Sequence, residues 1–129
     1  MRTKKNIIYA DESYEIIGMM YDVWDEIGFG HKENFYQKAV VETFRKNNKR
    51  YKEQLRLKVK MGGKELGEYV LDFLYEDKIV IELKQGNGFS KRNINQIYSY
   101  LKATGLKLGL LINFTREGIK FKRIVNLTK

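Results

Sequence analysis

Two apolar segments within residues 70–84 carry three charged side chains, and this combination restricts the fold more than any other part of the sequence. A short turn near residues 76–77 would fold the segments into an antiparallel hairpin. Because side chains alternate along a strand, Asp72, Glu82 and Lys84 would then project from one face. The other face would enter the core with Leu71, Phe73, Ile79, Ile81 and Leu83. Burying a lone charge is costly, so the three charged groups must be paired with one another or with a metal ion.

The periodicity of apolar residues predicts the other elements. Helical spacing predicts three helices, the first with Asp11 as its N-cap, and alternation predicts three further strands. In chain order the predicted elements are helices at 12–26 and 32–47, strands from 51 to a Gly62-Gly63 turn, at 65–75 and at 78–84, a helix at 91–104, and strands at 106–114 and 118–125. This α-α-β-β-β-α-β-β order predicts the α/β (α+β) class, with a mixed central β-sheet flanked by helices. At 129 residues we expect a single domain spanning 1–129.

Composition excludes several classes of site. The chain has no cysteine and one histidine, His31, which excludes disulfides, thiolate catalysis and zinc sites built from several Cys or His ligands. It also fits a reducing compartment, so we expect a cytoplasmic protein. The basic start at residues 1–5 is followed by too short an apolar run, 7–10, for a signal-peptide core. No apolar run approaches the roughly 20 residues of a membrane-spanning helix, so no membrane partner is expected.

The formal net charge of +9 favours a polyanionic partner. Nucleic acid is the commonest such partner, and solubility is the alternative explanation of the same lysines. Candidate phosphate contacts are Arg56, Lys58 and Lys60 on the strand from 51, the basic end of the second helix at 45–52, and Lys91 and Arg92 at the start of the third helix. Each cluster alone would also suit a solvated face.

The three charged residues of the hairpin suit phosphodiester hydrolysis. Two carboxylates, from Asp72 and Glu82, can hold a hard cation such as Mg²⁺, which activates a bound water and neutralises charge on the phosphate. Lys84 can orient that water and offset the charge of the transition state. Alternatively, Glu82 and Lys84 pair with cross-strand neighbours on a solvated face. Asp72 argues for function, because aspartate is disfavoured inside a strand.

The hairpin residues resemble the signature of the PD-(D/E)XK nuclease superfamily, with Leu71 in place of its proline. The chain is similar to a small bacterial branch named for a G-x-x-E-x-x-Y (GxxExxY) motif, which reads here Gly30, Glu33 and Tyr36. The resemblance covers about residues 14–125. It implies a restriction-endonuclease-like core and a nuclease that uses Mg²⁺ or Mn²⁺ and a metal-activated water, with DNA expected as substrate before RNA.

The resemblance also implies roles for individual residues. Asp72, Glu82 and Lys84 would be the catalytic set, with both carboxylates as metal ligands and Lys84 as the catalytic lysine. The main-chain carbonyl of Leu83 would be a further ligand. Glu33 would complete the metal site directly or through water, or would instead only offset the dipole of its helix.

Three further residues are candidates for substrate binding or for support of the site. Gln96 and Tyr100 resemble a Q-x-x-x-Y motif of exonuclease-like branches, and their spacing places both on one helical face. They would otherwise only pack against the sheet edge. Tyr36 would belong to the core or to the wall of the site, and His31 is interpreted as structural or exposed.

Two other functions stay open. The chain could be a catalytically inactive nucleic-acid-binding module that retains the nuclease fold. It could also be a subunit of a larger assembly, as a homodimer or with a protein partner, because a chain of 129 residues offers little surface for substrate selection.

Overall fold

The chain forms a five-stranded sheet with helices on both faces, described for residues 7–128 in a computed structural model. The elements are α1 (Ala10–Ile27), α2 (Glu33–Lys46), β1 (Tyr51–Met61), β2 (Lys64–Tyr75), β3 (Ile79–Gln85), α3 (Lys91–Thr104), β4 (Leu108–Thr115) and β5 (Gly118–Val125). This order confirms the predicted α/β (α+β) class. The basic start of the chain lies outside the described residues. None of the helices in the described part is long and apolar enough to cross a membrane.

The sheet has the strand order β1-β2-β3-β4-β5. All neighbouring strands are antiparallel except β3 and β4, which are parallel. A parallel pair needs a crossover connection, and α3 provides it. Gly109 allows α3 to lie close against β4, because a Cβ at this position would collide with Cγ2 of Ile97. In this strand order β3 is the central strand of the sheet.

Two apolar cores lie on opposite faces of the sheet. α1 and α2 cover one face, where the large buried rings are those of Tyr36, Phe44, Phe73, Tyr75 and Phe114. α3 covers the other face, where the fully buried aliphatic residues are Leu71, Val80, Ile97, Leu101 and Leu111. β3 contributes to both cores, and Glu82, one of its charged side chains, is buried between them.

Both predicted hairpin turns are present. Gly62 and Gly63 connect β1 to β2 with φ of 58° and 83°. Glu76 and Asp77 connect β2 to β3 with φ of 51° and 57°. Positive φ at both central residues is what a two-residue type I′ turn requires, and its twist matches that of the flanking strands. The first turn brings β1 alongside β2, and the second brings β2 alongside β3, as the sequence predicted.

Along β2, the alternation of side chains between the two faces of the sheet changes beside Asp72. Gln54 of β1 has a left-handed φ of 57° and does not pair with Asp72, although the residues around it pair with β2 in one register. Leu71 lies in the core beneath α3 with Leu55, whereas Phe73 lies in the core beneath α1 and α2. The prediction that Leu71 and Phe73 share a face was wrong, because the periodicity of one strand does not reveal an irregularity in its neighbour.

The first helix begins earlier than predicted. It starts at Ala10, and its N-cap is Tyr9, whose backbone is left-handed with φ of 52°. The prediction of Asp11 as N-cap was therefore wrong. Asp11 lies in the first turn of α1, where a carboxylate still offsets the helix dipole.

Candidate active site

The candidate site lies where β2 separates from β3. Backbone pairing between these strands covers Phe73 to Tyr75 and stops before Asp72 and Glu82. At this point side chains replace the missing backbone partners. The N–H of Asp72 donates to Oε1 of Glu82 at 2.9 Å, and the N–H of Leu83 donates to Oδ2 of Asp72 at 2.8 Å. The two carboxylates therefore lie side by side in the gap between the strands.

Both carboxyl groups are held in surroundings that disfavour their negative charge. Glu82 is only 5% exposed. Burial raises its pKa, and the neighbouring charge of Asp72 adds to this, bringing the pKa of Glu82 to about 8. Burial also raises the pKa of Asp72, although the N–H of Leu83 and the ammonium of Lys84 oppose the shift. A site of this kind favours additional positive charge.

Lys84 supplies positive charge at this place. Its Nζ lies 3.8 Å from Oε1 of Glu33 and 3.8 Å from Oε2 of Glu82. Glu33 is the first residue of α2, so the start of that helix brings a third carboxylate to the gap. The structure thus brings together Glu33 of α2, Asp72 of β2, and Glu82 and Lys84 of β3.

Gln37 is a residue of the site that the sequence did not reveal. Its Nε2 donates to Oδ1 of Asp72 at 2.8 Å. Gln37 follows Glu33 by four positions on α2, so both side chains lie on one helical face. This spacing is the only signal that could have identified it. With Gln37 and Leu83 as donors, both oxygens of Asp72 are fixed in position.

The donor set fits a divalent cation in its chemistry. Carboxylate and carbonyl oxygens are the ligands that hard cations prefer, and two adjacent carboxyl groups with raised pKa gain from a cation between them. Within residues 7–128, however, no three His, Cys, Asp or Glu side chains are arranged as a ready metal site. The oxygens of Asp72 and Glu82 face donor groups of the protein instead. The ammonium of Lys84 supplies part of the positive charge that a cation would bring.

The G-x-x-E-x-x-Y motif has a structural explanation. Gly30 has φ of 102°, which favours glycine, in the connection between α1 and α2. Tyr36 is buried, donates its hydroxyl to the carbonyl of Gly28 at 2.6 Å, and stacks on Phe114 at 4.1 Å between centroids. Tyr36 therefore belongs to the core, where it fixes the start of the helix that carries Glu33. Nε2 of His31 lies 2.7 Å from the carbonyl of Ile27, which is a structural contact.

Gln96 and Tyr100 lie on α3 but not in direct contact with the carboxylates. Tyr100 packs against the core beneath α3, and burial raises the pKa of its hydroxyl. Gln96 is half-buried. Among the described residues, neither side chain forms a hydrogen bond with Asp72 or Glu82. Packing against the sheet accounts for Tyr100, while a role in substrate binding stays a prediction for both residues.

The predicted basic surfaces differ in how far their charge is already neutralised. Arg56 forms an ion pair with Glu68, and Lys58 lies 3.7 Å from Glu65, across the β1–β2 hairpin. The basic end of α2 and the segment after it are similarly paired, through Arg45 with Glu42, Lys49 with Glu15, and Arg50 with Asp77. The sequence could not show this, because most of these carboxylates are distant along the chain.

Lys91 and Arg92 are the predicted basic pair that keeps its charge available. Both are exposed in the first turn of α3, and neither has an ion-pair partner in the part of the chain that the structure describes. They follow the loop that leaves β3 directly after Lys84. Of the predicted phosphate contacts, these two therefore combine free charge with a position in sequence next to the site.

Comparison with solved structures agrees with this fold. The chain is similar to SSO0001, a solved structure with 18% identity and a TM-score of 0.56, covering 97% of this chain and 63% of that one. It is also similar to the alkaline exonuclease LHK-Exo from Laribacter hongkongensis, with 13% identity and a TM-score of 0.50, covering 93% of this chain and 71% of that one. At such identities the likeness shows a shared fold. Curated proteins gave no match.

The sequence itself matches a family model over most of its length. The model of the PD-(D/E)XK nuclease superfamily matches residues 10–124, a span that runs from the first residue of α1 into β5. It therefore includes all the residues gathered in the gap between β2 and β3. The chain belongs to the PD-(D/E)XK nuclease superfamily.

Proposed function

We propose that this protein is a metal-dependent nuclease that hydrolyses phosphodiester bonds of nucleic acid in the gap between β2 and β3. The observation that carries the proposal is the adjacent pair of carboxyl groups with raised pKa, the buried Glu82 and the half-buried Asp72, beside the ammonium of Lys84. Two adjacent carboxylates withdrawn from water destabilise a fold, so their presence is best explained by use. Asp72, Glu82, Glu33 and the carbonyl of Leu83 would hold Mg²⁺ or Mn²⁺ as cofactor.

Different residues of the protein would have different roles in hydrolysis. When bound, a divalent cation supplies an acidified water and offsets charge on the phosphate. Gln37 and the N–H of Leu83 keep the carboxylate of Asp72 in one orientation. Lys84 would donate a hydrogen bond to the attacking water or to a phosphate oxygen. The water oxygen would bond to phosphorus as the ester P–O bond breaks, the water would release its proton to solvent, and the leaving oxygen would take up a proton from solvent.

A specific observation favours a second candidate, a nucleic-acid-binding module without catalysis. Both oxygens of Asp72 and both of Glu82 already face donors of the protein. A module that had lost its cation would show such internal pairing. It would bind nucleic acid with strong salt dependence and no requirement for metal. The nuclease assignment is preferred because a module for binding a polyanion gains nothing from two adjacent carboxylates beside its binding surface.

A cleavage panel separates the two functions. Labelled single- and double-stranded DNA and RNA are incubated with the purified protein and Mg²⁺ or Mn²⁺, beside the Glu82→Ala and Lys84→Ala variants. The proposal expects cation-dependent cleavage that both variants lose. Equal cleavage by wild type and both variants would indicate a contaminant and would reject the assignment. Binding without cleavage, and no calorimetric uptake of Mn²⁺, would establish the binding module.

Lys91 and Arg92 should contribute more to nucleic-acid affinity than the paired basic residues do. Each of Lys91→Gln and Arg92→Gln should lower the slope of log K against log salt by about 1, because each removes one phosphate contact. Arg56→Gln should lower it less, since Glu68 already neutralises that charge. Fluorescence anisotropy in EDTA measures the slopes without cleavage.

Lys102→Gln is the matched control, because Lys102 is exposed in the last turn of the same helix. It should leave the slope close to that of the wild type. Equal slopes for the Lys91, Arg92 and Lys102 variants would show that nucleic acid does not lie along the start of α3.

A further inference from the structure

Asn113 of β4 is a buried polar residue with one unused group. It is 0% exposed, and its Nδ2 donates to the carbonyls of Gly86 at 3.0 Å and Gly88 at 2.7 Å. Its Oδ1 is the only buried side-chain polar atom within residues 7–128 that has no hydrogen-bond partner. Buried polar atoms are nearly always paired, so an unused acceptor inside a fold calls for an explanation.

The position of Asn113 in the sheet suggests what that oxygen is for. β3 and β4 are parallel, and Lys84 is the register partner of Asn113. Register partners on neighbouring strands project from the same face of a sheet. The carbonyl oxygen without a donor therefore belongs to the residue beside the lysine of the site.

Lys84 needs a new acceptor if the site is loaded. Its ammonium now lies near two carboxylate oxygens, one from Glu33 and one from Glu82, and these are the oxygens that a divalent cation would take. A cation and an ammonium repel each other, and the ammonium of Lys84, whose side chain is 32% exposed, has three N–H donors that gain from an acceptor of the protein. In the described part of the chain, Oδ1 of Asn113 is the one buried side-chain acceptor without a hydrogen-bond partner.

We propose that Asn113 is a positioning residue whose Oδ1 accepts a hydrogen bond from the Lys84 ammonium when a divalent cation occupies the carboxylates. This inference rests on the proposed function. Asn113 then acts in two ways: its Nδ2 ties down the loop after β3, and its Oδ1 keeps Lys84 beside the reacting phosphate. The loop bonds exist without metal, whereas the bond to Lys84 forms only with it.

Asn126 provides a matched control. It is also a buried asparagine, 1% exposed, and its Nδ2 also donates to two main-chain carbonyls, those of Leu101 at 3.2 Å and Leu106 at 3.0 Å. Its Oδ1 is already used, because the N–H of Thr128 donates to it at 3.1 Å. Asn126 lies beyond the other end of α3, so its replacement removes the same kind of loop anchor without touching Lys84.

A double-mutant cycle on cation affinity tests the proposal. Binding of Mn²⁺ is measured by calorimetry for the wild type, Asn113→Leu, Lys84→Met, the double variant and Asn126→Leu. We expect Asn113→Leu to weaken Mn²⁺ binding about tenfold, as losing a second-sphere partner does at metal sites. In the Lys84→Met background the same change should have little effect, and Asn126→Leu should bind Mn²⁺ as the wild type does.

Several outcomes would overturn the inference. If Asn113→Leu weakens Mn²⁺ binding equally in the wild type and in the Lys84→Met variant, Asn113 acts only through the loop. If Asn113→Leu does not weaken Mn²⁺ binding at all, Asn113 has no role at the site. A wild-type protein that takes up no Mn²⁺ would reject the proposed function first, and the role of Asn113 with it. Asn113→Ser repeats the cycle with a small polar side chain, so that a folding defect of the leucine variant does not decide the result.

Discussion

Replacing Lys84 with methionine should lower kcat for phosphodiester hydrolysis by about 10²- to 10³-fold, the usual cost of removing one well-placed donor to a developing charge. Lys84 is the only ammonium in contact with the site carboxylates among residues 7–128. Methionine keeps the length and most of the apolar stem of lysine, so the packing of β3 should survive. Single-turnover cleavage with Mn²⁺, beside a thermal melt of each protein, measures the two effects separately.

Lys49→Met is the matched control for this variant. Lys49 also forms an ion pair with a glutamate, since its Nζ lies 2.9 Å from Oε2 of Glu15, and its side chain is 25% exposed against 32% for Lys84. The pair lies between α1 and the segment before β1, away from the gap between β2 and β3. Lys49→Met should keep the kcat of the wild type. Full activity in Lys84→Met, or an equal loss in both variants, would contradict the role given to Lys84.

The sequence predicted the parts of this site that depend on local patterns. Alternation along β3 identified Glu82 and Lys84 as neighbours, and the turn at Glu76 and Asp77 placed Asp72 opposite them. The resemblance to a nuclease family added Glu33, which the structure brings within 3.8 Å of Nζ of Lys84. Local periodicity and a family pattern together were thus enough to locate the carboxylates.

The sequence could not predict features that depend on distant pairs. Gln37 and Asn113 have ordinary polar side chains, and only the folded chain shows that one donates to Asp72 and the other lies beside Lys84. Leu71 changed face because of Gln54 on another strand. Arg56 appeared to offer free charge until Glu68 was found beside it. In each case the decisive partner lies more than ten positions away in the sequence.

The burial of Glu82 beside Asp72 makes the stability of the fold depend on pH. The raised pKa of Glu82, about 8, means that the folded protein prefers the neutral form of this group. Such a group contributes stability that is fully present below its unfolded pKa of about 4.3 and is lost as the pH rises through about 8. In EDTA, the free energy of unfolding of the wild type should therefore include a term that falls between pH 5 and pH 8.

Glu82→Gln should remove that loss, because glutamine stays neutral and its Oε1 can still accept from the N–H of Asp72. Above pH 8 in EDTA, the variant should be more stable than the wild type by about 1–3 kcal/mol, less than the full pKa shift would give because the contact with Lys84 is lost. Urea denaturation at pH 5 and pH 9 measures the difference, which should shrink at the lower pH.

Glu15→Gln is the control with the opposite sign. The hydroxyl of Tyr75 and the ammonium of Lys49 lower the pKa of Glu15. Its contribution to stability is therefore present above its unfolded pKa and is lost as the pH falls through the lowered folded pKa. Glu15→Gln should destabilise the protein at pH 9, where Glu82→Gln stabilises it. If both variants are less stable than the wild type at pH 9, the folded protein does not raise the pKa of Glu82.

Adding Mn²⁺ should reverse the order of stability at Glu82. A ligand that binds only the folded state stabilises it by RT ln(1 + [L]/Kd), and the wild type has the carboxylate that such a cation needs. Glu82→Gln lacks that charge, so Mn²⁺ should raise the Tm of the wild type and leave that of the variant nearly unchanged. The raised pKa of Glu82 and the expected affinity for a cation then have the same origin, since the adjacent carboxylates of Asp72 and Glu82 disfavour each other's charge and positive charge between them favours both.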